Sequence, residues 1–103
     1  MLIAEFSMAP IGAGESVGRY VAKCVNIVDK SGLPYKLGPM GTCIEGAWDQ
    51  VFGVMKKCLD ELAKDCNRVS ISIKVDYRTK NTGGALESKV ESIEKRIGRK
   101  LKT

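Results

Sequence analysis

Residues 69–78 alternate without a break: Val69, Ile71, Ile73, Val75 and Tyr77 are apolar, and Ser70, Ser72, Lys74, Asp76 and Arg78 lie between them. A period of two over this length describes a strand with one face buried and the other facing water. Such a strand needs partners, and residues 2–9 supply one. Leu2, Ala4, Phe6 and Met8 fall on one face, and Ile3, Glu5 and Ser7 fall on the other.

Between these two stretches the period changes. Val17, Tyr20, Val21, Cys24, Ile27 and Val28 recur at three- and four-residue spacing, which predicts a helix over about 15–31. Gly32 and Pro34 then end it. Tyr35–Leu37 reads as a short strand, Gly38-Pro39-Met40-Gly41 as a turn, and Thr42–Glu45 as a third strand. A second helix over about 47–65 carries Trp48, Val51, Phe52, Met55, Leu59 and Leu62 on one stripe. Asn81–Gly84 reads as a loop, and a last helix over about 85–98 carries Leu86, Val90, Ile93 and Ile97.

The order is β-α-β-β-α-β followed by an extra helix. This predicts an α+β, ferredoxin-like sandwich with a four-stranded antiparallel sheet in spatial order 4-1-3-2. At 103 residues the chain fits a single domain, 1–103. No apolar run approaches the ~20 residues of a membrane span. The N-terminus lacks the basic start and apolar core of a secretion signal, so the expected location is cytoplasmic.

The strand phase predicts that the helices cover the face bearing Phe6, Met8, Ile44, Ile71 and Ile73. The opposite face would carry Ile3, Glu5, Ser7, Cys43, Glu45, Ser70, Ser72, Lys74 and Asp76. RNA-binding sheets of this architecture stack bases on aromatic residues of the central strands. Here those positions hold Glu, Ser and Cys, which argues against sheet-face RNA binding despite a net charge of +5. Glu5, Glu45 and Asp76 instead form a candidate acidic cluster that would attract a cation or a protonatable heterocycle. Much of the positive charge sits near the C-terminus, at Lys89, Lys95, Arg96, Arg99, Lys100 and Lys102. The loops Pro10–Gly14 and Gly38–Gly41 are expected at one end of the sheet, where glycine permits close backbone approach. Trp48 reads as core or as a stacking wall.

The chain has no histidine, and its four cysteines, Cys24, Cys43, Cys58 and Cys66, form no C-x-x-C pair. No metal site, no catalytic residue and no cofactor is expected on these grounds, and the chain reads as a non-enzyme. The cysteines are expected as core or semi-exposed thiols, with their redox state open.

The strand and loop Glu5-Phe6-Ser7-Met8-Ala9-Pro10-Ile11-Gly12, then Ser16-Val17, then the run from Gly32 to Gly46 (GLPYKLGPMGTCIEG) resemble the small thiamine-binding, YkoF-like proteins. The resemblance spans nearly the whole chain and is most specific over residues 32–46. It implies a ferredoxin-like fold, assembly through sheets into dimers or tetramers, and binding of thiamine or its hydroxymethylpyrimidine part. Residue by residue it points to Ser7, Pro10, Gly12, Tyr35, Pro39, Met40, Gly41, Thr42 and Glu45. In that reading Glu45 would meet the amino group or the cation, Thr42 and Ser7 would hydrogen-bond the pyrimidine nitrogens, and Met40, Tyr35 and Trp48 would form apolar walls. The expected partners are a small ligand and further copies of the chain, joined through sheet faces or edges. A self-associating module without a ligand is the alternative. A nucleic-acid binder using the basic C-terminal helix is the third reading.

Overall fold

The computed structural model describes every residue except 13, 15, 16, 81 and 82. The expected helix start at residue 15 and part of the expected loop at 81–84 therefore lie outside the described residues. The elements are β1 (Leu2–Pro10), α1 (Gly18–Lys30), β2 (Tyr35–Leu37), β3 (Thr42–Gly46), α2 (Trp48–Ala63), β4 (Val69–Tyr77) and α3 (Ala85–Ile97). The four strands form one antiparallel sheet in order β2-β3-β1-β4. This is the expected 4-1-3-2 order, read from the other edge.

The register fixes the two faces. Leu2, Ala4 and Phe6 oppose Gly46, Ile44 and Thr42 on one side, and Tyr77, Val75 and Ile73 on the other. Directly opposed residues share a face, so all of these lie on the helix side. Leu2, Ala4, Phe6, Met8 and Ile44 pack there against Tyr20, Cys24 and Val28 of α1 and Val51, Met55, Cys58 and Leu62 of α2. Burying a Leu, Ile, Val, Phe or Met side chain contributes about 1.5–3 kcal/mol. The start of α2 is held by its own side chain: Gln50 Oε1 accepts the Ala47 N–H at 3.0 Å.

Two expectations about coverage are corrected. Ile71 and Ile73 do share the helix-side face, but they are 39% and 42% exposed. They stand on the edge strand β4, beyond the reach of α1 and α2. The opposite face, read from the sequence as an open acidic surface around Glu5, Glu45 and Asp76, is partly covered by the start of α3. Lys89 of α3 meets Asp76 of β4 at 2.6 Å, and Glu87 of α3 meets Lys36 of β2 at 3.0 Å. The far half of α3 projects past the sheet with Ile93 and Ile97 about half exposed. The radius of gyration is accordingly 15.0 Å, against about 13 Å for a compact chain of this length.

Candidate functional site

The sheet has a notch. β1 and β4 each run nine residues, but β3 runs only five. The β1–β3 ladder stops at Phe6–Thr42, while β1 continues beside β4 to Pro10. Beyond the last pair the chain turns back through Gly38-Pro39-Met40-Gly41, closed by the Gly38 N–H donating to Gly41 O at 2.8 Å. Two glycines make this turn possible. A Cβ on Gly38 would fall 2.9 Å from Gly41 O, and one on Gly41 would fall 3.2 Å from Phe6 O.

Where β3 is missing there is a cavity of about 310 Å³. Phe6, Ser7, Met8 and Ala9 of β1 form one wall, and Val17, Val21, Cys24 and Val25 of α1 and the residue preceding it form the second. Leu37 through Thr42 close the third side. The lining is mainly apolar and includes no Lys, Arg, Asp or Glu among the described residues.

Backbone polarity decides what a ligand would meet there. The Ile11 N–H donates to Arg68 O at 2.8 Å, and the Arg78 N–H donates to Met1 O at 3.0 Å. Along a strand successive residues direct their N–H and C=O to opposite neighbours. Odd-numbered residues of β1 therefore address β4, and even-numbered ones address β3. Met8 is the first even residue beyond the end of the β1–β3 ladder. Its N–H and C=O face the notch with no strand partner among the described residues. Sequence reasoning missed this pair because it follows from unequal strand lengths. The only signal was that Thr42–Glu45 is a shorter stretch than residues 2–9.

The expected ligand residues divide. Ser7, Met40, Gly41 and Thr42 line the cavity, as does Pro39. Thr42 is buried on the helix-side face, so its hydroxyl is on the cavity side of the sheet. Ser7 opposes Ser72 on the other face. Its side chain therefore projects away from the helices, and its contribution here is chiefly backbone. Tyr35 lines an adjoining, more open groove of about 620 Å³ that shares Val21, Val25 and Leu37 with the cavity. Its hydroxyl donates to Asp29 Oδ1 at 2.7 Å, and that bond raises the Tyr35 pKa. Pro10 and Gly12 do not line either space.

Glu45 and Trp48 are elsewhere too. Glu45 is 2% exposed, and its Oε2 accepts the Ala85 N–H at 2.7 Å. The carboxylate thus caps α3 instead of facing the cavity, where helix N-terminal N–H groups favour a negative charge. Trp48 stacks on Phe52 at 4.4 Å and meets Tyr77 edge-on at 6.3 Å, beside the β4 edge.

The acidic cluster is real in register but not in surroundings. Ile3 opposes both Glu45 and Asp76, and Glu5 opposes Cys43 and Lys74. Asp76 is held below the usual aspartate range by its hydrogen bond to Lys89. The Cys43 thiol is pushed up by burial and by the charge and hydrogen bond of Glu5. A depression of about 250 Å³ lies beside Glu5, Asp76, Lys74 and Lys89, with acids and bases balanced around it. No group of three or more Cys, Asp or Glu able to hold a metal occurs among the described residues. No helix among them is long and apolar enough to cross a membrane.

Comparison with known proteins places this geometry in a family. The profile of the thiamine-binding proteins matches residues 4–94. The chain belongs to the thiamine-binding protein family. Its relatives include the UPF0045 protein Mb1933 of Mycobacterium bovis, 38% identical over 95 residues, with 91% of this chain and 92% of that one covered. Among solved structures, the hypothetical protein MJ1052 of Methanocaldococcus jannaschii superposes with a TM-score of 0.81 at 34% identity, covering 89% of this chain and 94% of that one. A Thermotoga maritima protein for which a role in thiamine biosynthesis or salvage has been suggested superposes with a TM-score of 0.77. At 16% identity, over 89% of this chain and 97% of that one, it is a likeness of fold.

Proposed function

We propose that this thiamine-binding family member is a non-catalytic binder of thiamine or its aminopyrimidine half, and that the notch cavity is the site. One observation carries the reading. Two of the stretches that carry the family resemblance, the end of β1 and the β2–β3 turn, face each other across a single cavity.

The chemistry fits in three respects. The volume, about 310 Å³, is at the lower end of small-molecule sites, which suits a single aromatic ring. The backbone N–H and C=O of Met8, which have no strand partner among the described residues, offer a donor beside an acceptor. An aminopyrimidine offers the matching acceptor and donor at its ring nitrogen and amino group. The hydroxyl of Thr42 supplies a further polar contact, and Phe6, Val21 and Met40 supply apolar walls. The cationic thiazolium of intact thiamine would then extend along the adjoining groove, where Asp29 is the one charged lining residue among those described.

Titration calorimetry with thiamine, the free hydroxymethylpyrimidine and an unrelated heterocycle tests the reading. Saturable binding of the first two, weakened by Thr42→Val, is the expected result. Equal heats for all three, or binding that Thr42→Val leaves untouched, would remove it.

A second reading, self-association, is favoured by a separate observation. β4 is a nine-residue edge strand, and its helix-side face leaves Ile71, Ile73 and Tyr77 beside Trp48 substantially exposed. An edge strand of this kind pairs readily with a second copy. Antiparallel pairing about a two-fold axis would bury both apolar rows on the same side. The two readings are compatible, and a homodimer or homotetramer that binds the ligand satisfies both.

A further inference from the structure

Cys24 and Cys58 face each other across the α1–α2 seam. The Cys58 thiol lies 3.6 Å from the Cys24 carbonyl oxygen. Cys58 is fully buried, and Cys24 is nearly so. The difference is that Cys24 lines the notch cavity and Cys58 does not. Cys24 is also the only titratable side chain among the described residues of that lining. One thiol can therefore be reached by a small molecule through the cavity, and the other stands directly behind it.

We propose that Cys24 is an oxidative modification site, with Cys58 as its resolving thiol and a small hydroperoxide entering the cavity as the oxidant. In the first step the Cys24 sulfur attacks one peroxide oxygen. An S–O bond forms, the O–O bond breaks, and hydrogen peroxide leaves Cys24 as a sulfenic acid with release of one water. In the second step the Cys58 sulfur attacks the Cys24 sulfur. An S–S bond forms, the S–O bond breaks, and the departing hydroxide takes the Cys58 proton as a second water. Two thiols are oxidised to one disulfide, and one peroxide is reduced to two waters.

The electrostatics agree with this division of roles. Hydrogen bonding by Cys58 lowers the Cys24 pKa against the opposing effect of burial. The same bond and burial raise that of Cys58. The thiolate is the nucleophile, and only the Cys24 sulfur borders the cavity by which the oxidant arrives, so Cys24 attacks first. Cys43 is disfavoured by burial and by Glu5. The disulfide would draw the Cys24 side chain toward α2 and tie together the two helices that cover the sheet. The inference does not depend on the identity of the cavity's ligand.

Each cysteine lies on its own tryptic peptide, with Cys24 on 24–30, Cys43 on 37–56, Cys58 on 58–64 and Cys66 on 65–68. The test treats the folded, reduced protein with stoichiometric hydrogen peroxide, alkylates the remaining thiols and maps the peptides by mass spectrometry. The expected product is the 24–30 peptide joined to the 58–64 peptide, two hydrogens lighter than their sum and dominant over every other pair. In Cys58→Ser the expected product is a Cys24 sulfenic acid trapped by a cyclic 1,3-diketone. If Cys58→Ser does not fold, the wild-type map decides alone. Oxidation that falls first on Cys66 or on Met40, random pairing of the four thiols, or no Cys24–Cys58 pair at all would overturn the proposal.

Discussion

Glu45 Oε2 accepts the backbone N–H of Ala85 at 2.7 Å, a hydrogen bond that spans 40 residues of sequence and joins β3 to the first turn of α3. The carboxylate is buried under that turn, so it meets the helix start in surroundings poor in water. A hydrogen bond to a charged group contributes about 1.5–3 kcal/mol.

Glu45→Ala should therefore destabilise the protein by about 2 kcal/mol, while Glu45→Gln, which keeps an acceptor, should cost less. Amide exchange in residues 85–90 should accelerate in Glu45→Ala before the rest of the chain responds. Ligand affinity should be unchanged in Glu45→Gln, because Glu45 does not line the cavity. A loss of affinity without faster exchange in α3 would contradict this assignment.

The second tether of α3 depends on pH. Lys89 depresses the Asp76 pKa. A carboxylate whose folded pKa is below its unfolded value, about 3.9 for a free aspartate, adds stability above that value. The contribution is lost as pH falls from there through the depressed pKa. Exchange in α3, taken relative to the intrinsic rate of the free amides at each pH, should consequently rise as pH is lowered from about 5 toward 2. In Asp76→Asn the part of that rise due to this tether should be absent. Because Asp76 is solvent-accessible, added salt should weaken the tether as well.

Gly38→Ala tests the notch itself. The added methyl would sit 2.9 Å from the Gly41 carbonyl oxygen, which is backbone and cannot swing aside. The turn must open, at about 1–3 kcal/mol. Thiamine affinity should fall more than it does in Thr42→Val, for which loss of one hydrogen bond of about 1 kcal/mol predicts roughly a five-fold weaker Kd. Calorimetry on both variants, with circular dichroism to follow stability, gives the comparison.

Ile73→Lys tests self-association. The residue is 42% exposed on the edge strand, so a lysine there should be tolerated by the fold. It would place like charges opposite each other in a two-fold β4 pair. Sedimentation velocity should show the assembly shifted to monomer, with melting behaviour little altered. An unchanged sedimentation coefficient would exclude β4 as the interface.

The fold was legible because period and punctuation agreed. Strict alternation at 69–77 and 2–9, helical spacing from Tyr20 to Val28, and the break at Gly32 and Pro34 left few topologies. What the sequence did not carry was coverage. Ile71 and Ile73 have the same alternation whether a helix covers them or not, and only the edge position of β4 leaves them open. Glu45 read as a ligand contact because a carboxylate in a family-like motif draws attention. Its use as a cap depends on where α3 docks, which no local pattern encodes. Cys24 and Cys58 are 34 residues apart, and their meeting is a property of helix packing. Thr42, Gly41 and Met40 line the cavity, and their grouping is legible because they lie within one short motif. The Met8 backbone was not found, since a main-chain group has no letter in the sequence.

The mismatch between nine-residue β1 and five-residue β3 also bears on what sets the size of the notch. The void is bounded on one side by a tight reversal at the surface, while the β1–β3 ladder ends at Phe6 and Thr42. Inserting or deleting a residue in that reversal alters how much of the β1 rim is left bare, and the interior is spared. The length of one surface bend thus sets how much room is left beside β1 without disturbing the layers beneath it.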